Sequence, residues 1–411
     1  MTIISDREAG APWAAAALAT LLSHRAHAIP ASSWTAPDRS DVISLVAGIP
    51  DPDTLPVDAL LEATRVVLAR EGTQALEYGG SYGYAGLREL IAQRIDHQPG
   101  LGFTADNVML TGGGAQALQI VLDAFVDPGD TVVIETPVWG GMIRHLRAYQ
   151  ARIEEVPLDD HGIRVDVLED LLARLAAEGR RPKLIYTIPT FQNPTGITST
   201  LERRIWLLEV AARHRVLVLE DDPYGALRFA GDAVPSLLTL SGGDGVIRCG
   251  TFSKTIATGL RVGWIQAAGE LVDACARMRF DNGTSPFTSR IIAAYIEAGH
   301  HEPHVARMCA VYRAKCDAML SALAERCTRF ATWTRPEGGF FVWLTLPDGS
   351  SDLATLAAAA DAEGVQVVPG PSFYAHGGGN RHLRLAYSYV SEAALDEGVR
   401  RLARAVERNL P

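Results

Sequence analysis

The sequence predicts an α/β fold, with a large domain built on a seven-stranded, mostly parallel sheet and a smaller α+β domain after it. Two patterns predict this. Between residues 107 and 267, short β-branched runs alternate with longer stretches whose apolar residues recur every three or four positions. After residue 286 the pattern changes to a long helix, a strand pair near 339–346, a helix, a strand at 382–388 and a terminal helix. Helical connections of this length permit parallel neighbours in the first part.

The elements of the large domain are predicted in a regular order. Its seven strands are expected at 107–113, 131–137, 152–158, 183–189, 216–222, 246–252 and 261–267. Helices are expected between them at 115–126, 165–178 and 201–214. Strands of this kind, nearly continuous in apolar residues, are typical of a sheet covered by helices.

The length of 411 residues favours one large and one smaller domain. We expect an N-terminal arm at 1–45, a large domain at 46–285 whose first part contributes to the small domain, and a small C-terminal domain at 286–411. The arm holds an amphipathic stretch and then a passage rich in Pro, Ser and Asp. We expect it to pack elsewhere, with a partner subunit as one candidate surface.

Composition excludes several classes of function. The net charge of -10 argues against a nucleic-acid partner or an acidic membrane surface, because either requires a clustered basic face. The apolar stretch at 13–22 is too short to span a bilayer and has no basic flank, so we expect a cytoplasmic protein without a membrane partner. The five cysteines show no paired close spacing, so neither a metal site nor a disulfide framework is expected.

The strongest chemical signal is Thr251-Phe-Ser253-Lys254, followed by Gly259-Leu-Arg261-Val-Gly263, directly after a predicted strand. A single lysine at a strand end is usually a solvated surface charge. Here two hydroxyls and an arginine lie within ten residues of it, separated by glycines that let the backbone approach a ligand, which favours a phosphate cradle. An imine with an aldehyde is one way to keep a lysine in an apolar pocket.

A second phosphate contact is predicted at Thr111-Gly-Gly-Gly114-Ala-Gln116, where a strand breaks into glycines and a helix begins. Free backbone N–H groups and the helix dipole favour an anion there. A tight turn that needs glycine conformations explains the same residues equally well. The segment is not a P-loop, because no Gly-Lys-Ser/Thr follows.

Two more strand ends point toward the same edge of the sheet: Asn193-Pro-Thr-Gly196 and Glu220-Asp221-Asp222-Pro-Tyr224. Ligand sites of open parallel sheets collect outside the carboxyl ends of the strands, so we expect both loops to lie near Lys254. The alternatives are a simple turn for the first segment and helix capping or surface solvation for the aspartates of the second.

Together these motifs resemble fold-type I pyridoxal-5'-phosphate (PLP) enzymes of aminotransferase class I/II. The segments 189–196 and 220–224 are most similar to the subgroup of 2-aminoadipate aminotransferases and the aminotransferase domains of MocR regulators. The resemblance extends from about residue 44 to the end and implies a three-layer, aspartate aminotransferase-like large domain. It also implies PLP as the cofactor, amino acid and 2-oxo acid substrates, and a homodimer with shared active sites.

The resemblance assigns roles to individual residues. Lys254 matches the lysine that holds PLP as a Schiff base and later moves the substrate proton. Asp221 matches the carboxylate paired with the pyridine nitrogen, and a nearby anion favours the protonated, electron-accepting ring. Asn193 and Tyr224 match the groups that bind the phenolic oxygen, and Arg384 matches the arginine that binds the substrate α-carboxylate.

Further cofactor contacts follow from the same resemblance. Trp139 matches an aromatic ring stacked on the cofactor, for which core packing is the alternative. Tyr78 matches a tyrosine that reaches the phosphate of the neighbouring subunit. The phosphate cup is assigned to Gly113, Gly114, Ala115, Thr251, Ser253 and Arg261.

The sequence departs from the subgroup at two places. Gly114-Ala115-Gln116 lacks a hydroxyl and an amide that members usually carry beside the phosphate, for which Thr251 offers compensation. Tyr82 stands where members often have Glu, and we expect it to alter the pocket mouth. Transamination is the leading hypothesis. A different PLP reaction on the same fold (elimination, replacement, cyclisation or amino-acid oxidation) and a non-catalytic effector-binding module remain alternatives.

Overall fold

A computed structural model describes residues 18–29, 41–348 and 352–409. The predicted arm therefore lies partly outside the described residues. Its described part contains a short helix, α1 (His24–His27), where Arg25 Nε donates to the Ala148 carbonyl at 2.9 Å. The chain continues through β1 (Ile43–Ser44), α2 (Val57–Glu71) and α3 (Ala85–Leu90).

The large sheet lies at the centre of the molecule. Its eight strands are β2 (Val108–Thr111), β3 (Thr131–Thr136), β4 (Arg152–Asp159), β5 (Gly162–Ile163), β6 (Leu184–Thr187), β7 (Leu217–Asp221), β8 (Val246–Thr251) and β9 (Gly263–Gln266). They run in the order β2-β9-β8-β7-β6-β3-β4-β5. The five strands from β8 to β4 in that order pair in parallel, and β9 is antiparallel to both its neighbours.

All seven predicted strands are present, and the prediction of an α/β fold with a mostly parallel sheet is confirmed. The sheet gains one strand, because residues 162–163 turn back and pair antiparallel with the end of β4. Two residues are too few to show a periodic pattern, so this strand is not predictable from the sequence.

Helices cover both faces of the sheet and carry the apolar residues that the pattern requires. They are α4 (Gly114–Phe125), α5 (Gly140–Ala148), α6 (Val165–Ala177), α7 (Leu201–His214), α8 (Leu237–Leu240) and α9 (Gly269–Ala276). Val132 packs into the core on one face and its neighbour Val133 into the core on the other. Successive strand side chains point to opposite faces, so a sheet buried on both sides needs such continuous apolar runs.

The C-terminal part contains four helices and a second sheet. Its elements are α10 (Pro286–Glu297), α11 (His301–Arg326), β10 (Thr332–Trp333), β11 (Phe341–Thr345), α12 (Leu353–Ala362), β12 (Val365–Gln366), β13 (Val368–Pro369), β14 (His382–Ala386) and α13 (Glu392–Glu407). The second sheet has the order β10-β11-β14-β13 and is antiparallel, whereas β12 pairs in parallel with β1. Leu45, just after β1, is buried in the same core as α13.

Helix α10 packs with the large sheet. Ile292 and Tyr295 share a core with Phe252 and Trp264, which belong to the segments around β8 and β9. The division into domains at residues 45 and 285 stays a prediction. None of the described helices is long and apolar enough to cross a membrane.

Candidate active site

A cavity of about 440 Å³ opens where β6, β7 and β8 end, on the side of their carboxyl termini. Eleven of the thirteen residues predicted for the site line it: Gly114, Ala115, Trp139, Asn193, Asp221, Tyr224, Thr251, Ser253, Lys254, Arg261 and Arg384. The other two, Gly113 and Tyr78, are outside the lining. The convergence follows from topology, because parallel neighbours deliver their following loops to one edge.

Lys254 follows β8 and extends into the cavity. Its Nζ donates a hydrogen bond of 2.8 Å to the Gly48 carbonyl. Burial and, to a smaller extent, the positive charges of Arg384 and Arg261 lower the pKa of Lys254 to about 8, while Asp221 opposes them. A substantial fraction of the amine is therefore neutral, and so nucleophilic, near pH 8.

Asp221 is the last residue of β7 and is buried. Its Oδ2 accepts a hydrogen bond of 2.6 Å from the Tyr186 hydroxyl, and no ion pair reaches it from the described residues. Burial raises the pKa of Asp221 to about 7. Tyr186 and Lys254 hold that pKa down, while the carboxylates of Asp222 and Glu135 push it up. A buried carboxylate of this kind fits a cationic partner such as a protonated ring nitrogen.

Arg384, on β14, is buried without a carboxylate partner among the described residues. Its Nη1 donates to Asn193 Oδ1 at 3.1 Å, its Nη2 donates to the Val46 carbonyl at 2.6 Å, and its Nε has no partner in the described structure. The guanidinium carbon lies 4.4 Å from the centre of the Phe341 ring. Burial lowers the pKa of Arg384 to about 10, so it stays cationic at neutral pH and fits an anionic ligand.

Tyr224 lies beside Arg384 and Asn193, three residues after Asp221. Burial raises the pKa of its phenol above the ordinary value. The charge of Arg384 and a hydrogen bond with Asn193 counteract this, whereas the charge of Asp221 adds to it. The tyrosine therefore keeps its proton and can donate it in a hydrogen bond at neutral pH.

The first turn of α4 and the segment after β8 form a cup suited to an anion. Gly113 has φ 95°, and a Cβ there would lie 2.5 Å from Arg261 Nη2, so glycine allows the arginine to approach. Thr251 Oγ1 donates to Ser253 Oγ at 3.0 Å, and Arg261 Nη1 lies 3.5 Å from the same oxygen. The N-terminus of α4, two hydroxyls and a guanidinium together fit a phosphate group.

The two departures noted in the sequence have different outcomes. Gln116 closes the glycine turn, since its Oε1 accepts from the Gly112 N–H at 2.5 Å and its Nε2 donates to Asp281 Oδ2 at 3.1 Å. The expectation that Tyr82 shapes the pocket mouth finds no support, because Tyr82 is outside the cavity lining and donates to Asp273 Oδ1 at 2.6 Å.

Sequence reasoning missed three contributors: Gly48, Tyr186 and Phe341. Gly48 belongs to a segment with no recognised motif, yet its carbonyl holds Lys254. Tyr186 is a buried residue of β6, and a tyrosine in a buried strand reads as core packing until the structure shows its hydroxyl on Asp221. In the sequence, Phe341 cannot be distinguished from an ordinary core residue of a strand. Only the structure shows that its ring lies beneath Arg384.

Comparison with known proteins agrees with this geometry. The family model for aminotransferase class I and II matches residues 40–402. The chain is 38% identical to aromatic-amino-acid aminotransferase 1 of Thermococcus litoralis, over 91% of this chain and 90% of the relative. It is 36% identical to 2-aminoadipate transaminase of Thermus thermophilus, over 90% and 91%.

A solved structure shows the same fold. Kynurenine aminotransferase of Pyrococcus horikoshii, crystallised with PMP and with its substrates and products, matches with a TM-score of 0.88 at 35% identity and covers 96% of this chain and 98% of that chain.

The fold and the cavity define an enzyme of the PLP-dependent transferases with an aspartate aminotransferase-like architecture. The chain belongs to the class I and II aminotransferases and is similar to the 2-aminoadipate subgroup. It uses PLP and catalyses transamination.

Replacing Tyr186 by Phe removes only the hydroxyl that donates to Asp221. We expect kcat/KM to fall about tenfold, as for the loss of one hydrogen bond to a buried charged group. Steady-state kinetics check this. Tyr149→Phe is the matched control, because Tyr149 also donates to a carboxylate, that of Asp123, away from the cavity. An unchanged kcat/KM in Tyr186→Phe would show that Asp221 does not depend on this donor.

Proposed function

We propose that Lys254 is the covalent attachment point for PLP and the group that moves the substrate proton in transamination between an α-amino acid and a 2-oxo acid. The observation that carries the proposal is the meeting of Lys254, Asp221 and Arg384 in one cavity. Asp221 and Arg384 are buried and Lys254 is half-buried, and none of the three is in an ion pair among the described residues. Bound PLP supplies the electron sink for the electrons released when a substrate Cα bond breaks.

Each residue then has one task. Lys254 Nζ is neutral in part near pH 8, takes the substrate α-proton and returns it. Asp221 pairs with the ring nitrogen and favours its protonated form. Arg384 binds the substrate α-carboxylate, for which its unpartnered Nε is available.

The remaining residues hold the cofactor. Asn193 and Tyr224 donate to the phenolic oxygen, and Trp139 stacks on the ring. The phosphate is bound by the residues of the cup: Gly113, Gly114, Ala115, Thr251, Ser253 and Arg261. The cup and Trp139 orient the ring, so that the bond to be broken is held in one geometry.

The cavity walls support donors with apolar or aromatic side chains. The lining residues without an assigned task include Val46, Ile49, Leu118, Ile188 and Phe341, all apolar. The cations in the described lining are Lys254, Arg261 and Arg384, and each already has a task. No described cation remains for a second substrate carboxylate. The name of one relative, aromatic-amino-acid aminotransferase 1, supports the same choice, whereas the name of the 2-aminoadipate relative points to an acidic donor.

A homodimer with shared sites is proposed from Tyr78. Its side chain is 86% exposed in a single chain, as is Phe280 at 85%. The loops that carry them touch, since a Cβ at Gly283 would lie 2.0 Å from the Gly80 carbonyl oxygen. Two exposed aromatic rings on adjoining loops favour a protein partner. A cytoplasmic location is also proposed, supported by five free cysteines.

Lys254→Ala should abolish transamination and still bind PLP without covalent capture. In the wild-type protein, capture of added PLP, fixed by borohydride and measured by mass spectrometry, should rise with pH around a midpoint of about 8, because only the neutral amine reacts. Exposed Lys183 serves as control, since Lys183→Ala should leave both results unchanged. Full activity in Lys254→Ala, or ammonia or peroxide release in place of a 2-oxo acid and pyridoxamine phosphate, would refute the proposal.

The donor preference is tested with a panel of amino acids at fixed 2-oxo acid concentration. We expect kcat/KM for phenylalanine and leucine to exceed that for glutamate and 2-aminoadipate by roughly tenfold or more, because burying an unpaired carboxylate is costly. A preference for the acidic donors would show that a cation from outside the described lining completes the pocket.

The shared-site dimer is tested by mixing two inactive variants, Tyr78→Ala and Lys254→Ala. Mixed dimers hold one site with both native residues, so unfolding and refolding the mixture should recover about a quarter of wild-type activity. Light scattering measures the mass of each species. If subunits exchange and no activity returns, Tyr78 acts in the active site of its own subunit.

A further inference from the structure

The segments that carry Trp139 and Asn193 are joined by one buried side chain, that of Gln192. Its Nε2 donates to the Pro137 carbonyl at 2.7 Å, two residues before Trp139, and to Glu135 Oε1 at 3.1 Å. Gln192 is itself the residue before Asn193. One amide therefore links the loop after β3 to the loop after β6.

The same amide also shapes the turn that holds Asn193. Gln192 Oε1 accepts from the Thr195 N–H at 2.9 Å and from Thr195 Oγ1 at 2.7 Å. The Gly196 N–H donates to the Gln192 carbonyl at 2.6 Å. All four hydrogen-bonding positions of the side chain are occupied and the residue is 2% exposed, so its orientation is determined.

Glu135 anchors this connection to the large sheet. It lies in β3 and is 1% exposed. Its Oε1 also accepts from the Ile188 N–H at 2.9 Å, and its Oε2 accepts from Thr187 Oγ1 at 2.5 Å. These donors come from the end of β6 and the residue after it, so Glu135 holds β3 and β6 in register at their carboxyl ends.

The connection reaches the substrate-binding arginine. Asn193 Oδ1 accepts from Arg384 Nη1 at 3.1 Å, so the position of Asn193 sets one of the two hydrogen bonds of that guanidinium. Displacing Gln192 would move Asn193 and the backbone before Trp139 together.

We propose that Gln192, anchored on Glu135, is a positioning residue that holds the ring-stacking residue Trp139 and the phenolic-oxygen donor Asn193 in one fixed relation. The inference rests on the roles proposed above for Trp139, Asn193 and Arg384. Gln192 lies outside the cavity lining and acts through the residues that it holds.

The test is Gln192→Met in the full-length, PLP-loaded protein. An amide that donates to the phenolic oxygen competes for it with a proton, so a misplaced Asn193 should raise the pH midpoint of the visible absorbance by about half a unit or more. We also expect weaker visible circular dichroism, because the ring is held less firmly, and about a tenfold fall in kcat/KM.

Gln98→Met is the matched control. Gln98 is 4% exposed, donates twice to Asp96 and accepts from Ser236 and Thr239, and none of these residues lines the cavity. It should lower the melting temperature about as much as Gln192→Met and leave the absorbance midpoint and the circular dichroism unchanged. Gln192→Glu is a second variant. It keeps the hydrogen bonds from Thr195 and loses the donations to Glu135 and Pro137, so it should also raise the pH midpoint of the visible absorbance.

The proposal is overturned if Gln192→Met has the same absorbance midpoint, circular dichroism and kcat/KM as Gln98→Met. If Gln192→Met does not load PLP, the same comparison is made with Gln192→Glu. The proposal is also overturned if neither variant folds while Gln98→Met does, because Gln192 is then a requirement of folding alone. Failure of the proposed function is a separate result, read from the activity of Lys254→Ala.

Discussion

The site depends on holding three ionisable side chains in one cavity, two buried and one half-buried, without pairing them with one another. Asp221, Lys254 and Arg384 are held in one cavity by neutral partners: a tyrosine hydroxyl, backbone carbonyls and an asparagine amide. Burial alone moves the pKa of each toward its uncharged form. Under the roles proposed above, a charged cofactor and substrate would pair with these groups, and this pairing favours their binding.

The sheet makes this arrangement possible because the backbone hydrogen bonds of its strands are made within the sheet and not by residues of the site. Strands β3, β6, β7 and β8 satisfy one another's hydrogen bonds and end side by side. Their following loops can then adopt conformations that serve the ligand. The buried anchors, such as Glu135 below the cavity, tie these loops to strands whose positions are already determined by the core.

Much of the fold and of the candidate site was predictable from the sequence. Strand runs such as 246–252 are bounded by clear turn signals, and the glycines and hydroxyls around Lys254 are local in the chain. Tyr186, Gln192 and Phe341 were not predictable, because their roles arise from contacts between segments distant in sequence. An amide that bonds to a carbonyl 55 positions earlier leaves no periodic pattern.

The short segment from residue 43 to residue 49 connects both parts of the molecule. Ile43 pairs with β12 and Leu45 is buried against α13, while the carbonyls of Val46 and Gly48 hold Arg384 and Lys254. A rotation of the C-terminal part about the large sheet would therefore carry the acceptor of the lysine with it. Under the role proposed for Lys254, such a rotation would change the proton affinity of its amine through a single backbone carbonyl.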